Sequence, residues 1–72
     1  MKKKNKIKIK FNGKKLMIVD GLNIDKLIKK FNIKLSNIAI EYNKVIIDKR
    51  KIKKISLKKN DTIEVVHFIG GG

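Results

Sequence analysis

The sequence predicts an α+β domain in which one main helix packs on one face of a four- to five-stranded mixed sheet. Three observations lead to this prediction. Residues 6–19 alternate apolar and charged side chains around an Asn-Gly pair, which is typical of a β-hairpin. Residues 24–31 carry apolar side chains at helical spacing, and short apolar runs separated by turn residues follow from residue 38 onward. With 72 residues and no linker-like segment, the chain is expected to be one domain over residues 1–72.

The first hairpin is predicted from two strands of matching pattern. Residues 6–11 alternate strictly, so their apolar side chains share one face while lysines occupy the other. Asn12-Gly13 follows directly, and both residues tolerate the positive φ angles of a two-residue hairpin turn. Residues 14–19 return as the second strand. The side chains expected to face inward are those of Ile7, Ile9, Phe11, Leu16 and Ile18.

A single amphipathic helix is predicted after Asp20-Gly21. Asn23 is a good N-cap, Asp25 lies in the first turn, and Lys29 and Lys30 lie in the last, which suits the helix dipole. The apolar residues recur at i, i+3, i+4 and i+7, so they form one stripe that is expected to pack on the hairpin. This stripe consists of Ile24, Leu27, Ile28 and Phe31.

The second half of the chain is predicted to supply the remaining strands. The final strand carries apolar residues on both faces, with Ile63 and Val65 inward and Val66 and Phe68 outward. Only a central position shields such a strand on both sides, so we expect it in the middle of the sheet, parallel to the first strand. The predicted elements are strands at 38–42, 45–47, 55–57 and 62–68, with a turn at 43–44 and a helical turn within 48–54.

The chain carries a net charge of +14, with 20 Lys and Arg against 6 Asp and Glu. Such an excess is typical of proteins that bind nucleic acid or anionic membranes. All of these basic residues except Arg50 are lysine, however, and base-edge readout favours arginine. Lysine, isoleucine and asparagine are also the residues that an AT-rich genome accumulates. We therefore attribute most of the charge to composition. We expect no specific nucleic-acid site, and no membrane association because the apolar runs are too short to span a bilayer.

Candidate catalytic and metal-ligating residues are few. The sequence has no cysteine and one histidine, His67, so a thiolate metal site and a cysteine nucleophile are excluded. The six acids lie apart, mostly in turns or caps, and no spacing indicates a paired acid and base. No glycine-rich loop joins a strand to a helix. We expect no catalytic residues, no bound cofactor and no metal in this chain.

The sequence ends in Gly70-Gly71-Gly72, soon after the final predicted strand. A glycine cluster with nothing after it is expected to be a flexible tail over residues 70–72 that exposes the α-carboxylate. A frayed terminus without a purpose is the alternative. A carboxylate is a poor electrophile, but ATP can convert it to an acyl adenylate, from which a sulfur nucleophile can displace AMP to leave a thiocarboxylate. Glycine suits this chemistry because it has no Cβ to obstruct a narrow adenylation cleft.

The stretch Ile63-Glu64-Val65-Val66-His67-Phe68-Ile69-Gly70-Gly71-Gly72 resembles the ending of the thiamine-biosynthesis sulfur carriers, which are ubiquitin-like proteins of the β-grasp fold. Phe11-Asn12-Gly13-Lys14 in the first hairpin and Asn60-Asp61-Thr62 before the last strand also fit that family. The resemblance spans residues 6–72 and implies a ubiquitin-like β-grasp domain. A diglycine alone is shared by ubiquitin, molybdopterin-type carriers and other modifiers, whereas the His-Phe-Ile-Gly-Gly-Gly ending is more specific.

The resemblance implies a role for each residue of the tail. Gly72 would receive the adenylate and then the thiocarboxylate, and Gly70 and Gly71 would thread the partner's cleft. The residues that would dock on the partners are Val66, Phe68 and Ile69. For Val66 and Phe68 the alternative is packing against a neighbouring loop of the same chain.

The resemblance also implies a set of partners. An adenylyltransferase resembling ubiquitin-activating enzymes would use ATP and magnesium, a sulfur donor protein would supply the sulfur, and a thiazole synthase would accept it. The free carrier is expected to be a monomer, located in the cytoplasm of an AT-rich bacterium or in a plastid stroma.

Three other functions stay open at this point. A molybdopterin-type sulfur carrier would share the fold, but such carriers are usually longer and lack this ending. A ubiquitin-like protein modifier would end in an isopeptide bond to target lysines. A basic RNA-binding module would bind with a steep salt dependence and would not need the tail, but three Phe and one Tyr offer it no evident stacking platform.

Overall fold

The computed structural model of the protein describes residues 5–68. Its elements are the strands β1 (Lys6–Phe11), β2 (Lys14–Val19), β3 (Ile38–Tyr42), β4 (Val45–Ile47) and β5 (Thr62–His67), the helix α1 (Ile24–Lys30) and a 3₁₀ turn at Lys49–Lys51. The predicted hairpin, helix, helical turn and last strand are therefore confirmed. The predicted tail, residues 70–72, lies outside the described residues. Within residues 5–68, no helix has the length and apolar character that crossing a membrane requires.

The five strands form one mixed sheet in the order β2-β1-β5-β3-β4. The last strand lies at its centre: β5 runs parallel to β1, where Lys10 faces Thr62 and Phe11 faces Ile63, and antiparallel to β3. The other neighbours are the antiparallel hairpins β1–β2 and β3–β4. The predicted position of β5 is confirmed, and so is its direction relative to β1.

The core is a cluster of ten buried apolar side chains contributed by the sheet, α1 and the segment before β5. Strand alternation places the inward residues of each strand on one face, and the predicted helical stripe supplies three members of the cluster. Removing each such side chain from water contributes about 1.5–3 kcal/mol. The members are Ile9, Ile18, Ile24, Leu27, Ile28, Ile38, Ile40, Ile52, Leu57 and Ile63.

Helix α1 begins as predicted but ends earlier than its apolar stripe. The Asn23 side-chain oxygen accepts a hydrogen bond from the Lys26 N–H at 2.7 Å, which caps the helix. At the other end Asn32 adopts a left-handed conformation (φ 57°), so Phe31 is the C-cap rather than a helical residue. Phe31 is consequently 43% exposed and is not part of the buried core, but the predicted packing of the stripe on the hairpin is confirmed. The Phe31 ring stacks on that of Phe11, with the centroids 4.9 Å apart.

The predicted short strand at 55–57 is also wrong. Ser56 forms only an isolated antiparallel bridge with Asn23, outside the main sheet. The Leu57 N–H donates to the Leu22 carbonyl at 2.8 Å, and the Ile24 N–H donates to the Ile55 carbonyl at 3.1 Å. The segment therefore pairs with the loop that precedes α1, and its residue Leu57 is buried in the core cluster.

The turn between β1 and β2 is hydrogen-bonded to β5 through the Asn12 side chain. Asn12 has φ 51° and Gly13 has φ 81°, as the hairpin turn requires. The Asn12 N–H donates to the Ile63 carbonyl at 2.9 Å, and the Asn12 side-chain oxygen accepts from the Val65 N–H at 2.8 Å. Where the backbone of β1 turns away from β5, this side chain supplies the next acceptor of the parallel ladder.

We expect the Asn12→Gly variant to lower the free energy of unfolding by about 1 kcal/mol, because it keeps the turn conformation but leaves the Val65 N–H without this acceptor. The Val65 amide should also exchange faster with deuterium. The matched control is Asn12→Asp, which keeps both an acceptor and tolerance of positive φ and should stay close to the wild type. Urea denaturation and amide exchange measure both variants. Equal protection of Val65 in the Asn12→Gly variant would show that the side-chain bond does not hold β5.

Candidate functional site

The candidate site is the C-terminal half of β5, the part of the sheet that leads into the predicted tail. At its start β5 is held on both sides: the Lys10 N–H donates to the Asp61 carbonyl at 2.9 Å, and the Asn43 N–H donates to the Thr62 carbonyl at 2.8 Å. At its end the Phe68 N–H donates to the Asn37 carbonyl of the loop before β3, also at 2.9 Å. The pairing of β1 with β5 covers only Thr62 and Ile63. Among residues 5–68, β5 beyond Val65 is therefore paired on the β3 side alone.

Asp61 fixes the position at which β5 begins. Its side chain is 8% exposed and accepts three hydrogen bonds: from the Tyr42 hydroxyl at 2.8 Å, from the Asn43 side-chain amide at 3.2 Å and from the Lys58 N–H at 2.8 Å. Tyr42 ends β3 and Asn43 begins the turn to β4, so this carboxylate connects the base of β5 to the β3–β4 hairpin. The Asn43 side-chain oxygen adds a further connection by accepting from the Thr62 N–H at 2.8 Å.

The titration of Asp61 reflects these contacts. Burial raises the pKa of the Asp61 carboxyl, but the hydrogen bonds from the Lys58 N–H, Asn43 and Tyr42 outweigh burial, so its pKa lies below the ordinary value of 3.8. Burial, the hydrogen bond to Asp61 and the charge of that carboxylate together raise the pKa of Tyr42. The carboxylate is thus ionised and the phenol protonated at neutral pH, which is the combination that the hydrogen bond requires.

One predicted docking residue, Val66, lies on the outer face of β5, and a second, Phe68, directly follows the strand. Alternation directs Ile63 and Val65 towards the core and Val66 and Phe68 away from it. Val66 is 42% exposed and Phe68 is 63% exposed, so neither is covered by a loop within residues 5–68. A large apolar ring exposed next to the predicted tail is a typical feature of a protein-docking surface. Docking itself stays a prediction for both residues.

The rest of the predicted site lies outside the described residues. This applies to the docking residue Ile69, to the threading residues Gly70 and Gly71, and to the modified residue Gly72. Their roles stay predictions from the sequence.

The described residues offer no metal centre. Among them, no group of three or more His, Asp or Glu side chains is placed to hold a metal ion. His67 is exposed at the end of β5. Two of the acids are in ion pairs: Asp25 lies 3.1 Å from Lys29, and Asp48 lies 2.7 Å from Arg50. Hydrogen bonds from the Arg50 side chain and backbone lower the pKa of Asp48 to about 2.

Residues 8–72 match the model of the ThiS family. The chain belongs to the ThiS family. The resemblance seen in the C-terminal stretch and in the first hairpin is thereby confirmed. The match to the ThiS family includes all three terminal glycines, which lie beyond the residues that the structure describes.

Three related proteins are similar in sequence to this ThiS-family chain. It is 36% identical over 53 residues to the sulfur carrier protein ThiS of Bacillus subtilis, covering 74% of this chain and 80% of that protein. It is 34% identical over 61 residues to the uncharacterized protein ycf40 of Trieres chinensis, covering 85% of this chain and 84% of that protein. It is 33% identical over 66 residues to a thiazole synthase of Magnetococcus marinus, covering 92% of this chain but only 20% of that protein.

A solved structure shows the same fold. The crystal structure of the thiamine biosynthesis protein ThiS from Geobacter metallireducens superimposes with a TM-score of 0.79 at 22% sequence identity, covering 92% of this chain and all of that one. The mixed five-stranded sheet with a single helix is therefore the ubiquitin-like β-grasp fold of ThiS proteins, as the resemblance implied.

Sequence reasoning missed the residues that hold β5 in place. The sequence pattern indicates a turn at Asn12, an acid in a turn at Asp61, a strand end at Tyr42 and a turn at Asn43, but none of their hydrogen bonds to β5 or to one another. One signal was available, because an Asp beside Asn60 at the start of a strand is often a capping residue rather than an exposed one. Its hydrogen-bond partners could not be found from sequence, since Tyr42 lies 19 residues away.

Proposed function

We propose that this ThiS-family chain is a sulfur carrier for thiazole formation in thiamine biosynthesis and that it carries sulfur on the carboxyl group of Gly72. The observation that carries the proposal is the family match through Gly72, on a domain whose central strand leads towards that residue. A sulfur carrier is a co-substrate, and the proposal assigns no catalytic residue to this chain.

The proposed chemistry has two steps on the carboxyl carbon of Gly72. A carboxylate oxygen attacks the α-phosphorus of ATP, pyrophosphate leaves, and the product is an acyl adenylate. A sulfur nucleophile then attacks the carbonyl carbon and AMP leaves; with hydrosulfide as the nucleophile no electron is gained or lost. The product is a thiocarboxylate, which a thiazole synthase would use as its sulfur source. ATP is the co-substrate of the adenylyltransferase, and magnesium would bind the phosphates of ATP in that enzyme.

The partner assignment is supported by the relatives. The B. subtilis relative is a sulfur carrier protein, and 92% of this chain is similar to a segment that makes up 20% of a thiazole synthase. A thiazole synthase that contains a carrier-like segment supports the proposal that the carrier contacts a thiazole synthase directly. The adenylyltransferase and the sulfur donor protein are proposed from the chemistry, since a carboxylate needs activation before sulfur can enter.

The fold suits a carrier because it combines a fixed base with an exposed docking face. Asp61 connects the start of β5 to the β3–β4 hairpin, and Asn12 bonds to Val65 on the β1 side. These bonds fix the position of β5 in the sheet, and with it the place where the chain leaves the sheet. Val66 and Phe68 lie beside that point and would contact the enzyme that receives the tail. Binding energy from these side chains would position the carboxyl group for attack.

Intact-protein mass spectrometry tests the proposal. Incubation with the adenylyltransferase of the same organism, ATP, magnesium and sulfide should raise the protein mass by the difference between one sulfur and one oxygen atom. Omitting sulfide should leave pyrophosphate release that depends on this chain. The matched control is the chain without Gly71 and Gly72, which keeps every described residue and should show neither reaction. Unchanged mass in the wild type, or equal reaction in the shortened chain, would contradict the proposal; covalent attachment to lysines of other proteins would instead indicate a modifier.

A further inference from the structure

The face of the sheet that points away from α1 has a segregated charge pattern. Lys8, Lys10 and Lys15 line one cleft of about 270 Å³, together with Asn60 and Thr62. Lys10 lies directly opposite Lys15 in the β1–β2 pairing, and Lys8 is two residues from Lys10 on the same face. All three lysines are exposed. We define them as the lysine cluster.

Like charges placed directly opposite each other destabilise a sheet, so the lysine cluster is unfavourable for the free protein. The described part of the chain does not offset it with an ion pair. Its two ion pairs within 4 Å are those of Lys29 with Asp25 and of Arg50 with Asp48, both outside this face. A group that brings negative charge into the cleft would relieve this repulsion.

The next row of the same face repeats the pattern with the opposite sign. Glu64 on β5 lies directly opposite Glu41 on β3, so two of only six acids in the sequence are cross-strand neighbours. Neither is in an ion pair within residues 5–68. The alternative arrangement, lysine opposite glutamate, would have stabilised the sheet. The two like-charge pairs therefore leave cross-strand repulsion on this face, which a second molecule of complementary charge would relieve.

The rows follow one another towards the tail. Along β5 the outward residues are Thr62 beside the lysine cluster, then Glu64, then Val66, and finally Phe68 at the exit of the strand. Each step of two residues spans about 7 Å, so the lysine cluster lies roughly 20 Å from Phe68. Along the line from Lys10 through β5, the face thus presents basic, acidic and apolar positions in that order, while the exposed apolar side chains of Met17 and Ile46 lie opposite Lys8 and Glu41.

We propose that this ordered face selects and orients the adenylyltransferase: an acidic patch of the enzyme occupies the lysine cluster, and a basic side chain faces Glu41 and Glu64. The inference rests on the proposed function, which supplies the enzyme. It specifies which charges the enzyme surface carries and the orientation in which the carrier binds to that surface. Contacts at the apolar zone alone would leave rotation about the tail poorly defined, whereas two charged zones of opposite sign fix it.

Other occupants fit the face less well. The cleft is smaller than the roughly 300–1,000 Å³ of pockets that hold nucleotide-sized ligands. Phe11 is stacked on Phe31 and Tyr42 is bonded to Asp61, so no aromatic ring beside the cleft is available to stack a base of RNA within residues 5–68. A second copy could match the two rows in opposite orientation, but a net charge of +14 on each copy opposes self-association.

Charge reversal tests the proposal. The variant Lys10→Glu/Lys15→Glu should lower kcat/KM for adenylation by about tenfold at low ionic strength, and the difference from the wild type should shrink as salt is added. The matched control is Lys53→Glu/Lys54→Glu, which changes the net charge equally. Those exposed lysines follow Ile52, whose carbonyl accepts from the Asp25 N–H at the start of α1, so they lie on the helix side. The control should differ from the wild type by less than about twofold.

The outcomes separate this proposal from the proposed function. If the wild type is not adenylated, the proposed function fails. If the wild type is adenylated and the two double variants lose the same activity, only net charge matters and the oriented face is wrong. Unaltered adenylation of Lys10→Glu/Lys15→Glu, combined with loss of inorganic phosphate or single-stranded RNA binding, would assign the cleft to those anions instead. Concentration-dependent dimers in light scattering that this variant abolishes would assign it to a second copy.

Discussion

Replacing both Val66 and Phe68 with serine is expected to lower kcat/KM for adenylation of the carrier by about 100-fold, because apolar anchors at the centre of an interface carry most of its binding energy. The loss should appear mainly in KM, since both side chains are proposed to bind the enzyme and neither takes part in the chemistry. Val66 is 42% exposed and Phe68 is 63% exposed, so the free energy of unfolding should change by only a few tenths of a kcal/mol. Steady-state pyrophosphate release and urea denaturation measure the two effects separately.

The control for this prediction is Val45→Ser. Val45 is 63% exposed, as Phe68 is, but it pairs with Tyr42, so alternation directs it to the face of the sheet opposite that of Glu41 and Val66. We expect its kcat/KM to stay within about threefold of the wild type, since it lies outside the proposed docking face. A loss equal to that of the double variant would show that general surface hydrophobicity, rather than docking beside the tail, controls the reaction.

Asp61→Ala is expected to be the most destabilising of the substitutions considered, at about 3 kcal/mol, because it leaves three hydrogen-bond donors without their acceptor in a partly buried site. A domain of this size has a total stability of roughly 4–11 kcal/mol, so the loss is a large fraction of it. The control is Asp48→Ala, since within residues 5–68 that exposed carboxylate is bonded only to Arg50 in its own turn and should matter much less. Similar midpoints of urea unfolding for the two variants would contradict the structural role of Asp61.

The same carboxylate predicts a pH dependence of stability. Its pKa in the folded protein lies below the ordinary 3.8, so the folded state favours the ionised form. The stabilisation is therefore complete above about pH 4 and is lost as the pH falls through the folded pKa. In Asp61→Asn this loss should be absent, leaving only the acid sensitivity of other groups such as Asp48, an exposed carboxylate whose folded pKa is about 2. Parallel curves of unfolding free energy against pH for the wild type and Asp61→Asn would disprove the assignment.

The sequence was sufficient to predict every element in which local pattern and tertiary burial agree. Alternation over residues 6–11, the Asn12-Gly13 turn and the Asn23 cap each act within a few residues, and the apolar character of both faces of β5 placed it at the centre of the sheet. Two predictions failed because a local conformation or contact outweighed the apolar pattern. Asn32 stops α1 before Phe31, and the pairing of Ser56 with Asn23 draws residues 55–57 away from the sheet.

The contacts that hold the candidate site could not be read from the sequence. The Asn12–Val65 bond joins residues 53 positions apart, and the three donors to Asp61 come from two different turns and a strand. Such bonds carry no periodic signal, because each depends on where the completed sheet places one side chain. The outward charge rows are similar: the pairing of Glu41 with Glu64 depends on the register between β3 and β5, which the sequence pattern does not specify to a single residue.

The parallel neighbours β1 and β5 come from opposite ends of the chain, so the sheet cannot close until β5 has been synthesised. A polypeptide whose synthesis stopped before Thr62 would hold α1 and two hairpins whose edges are unpaired, since β5 is the strand that joins the hairpins. Such fragments would remain substrates for proteases rather than persist as native molecules. Because the native sheet requires β5, only chains translated through β5 would fold, and only such chains would be available to bind the partner enzymes.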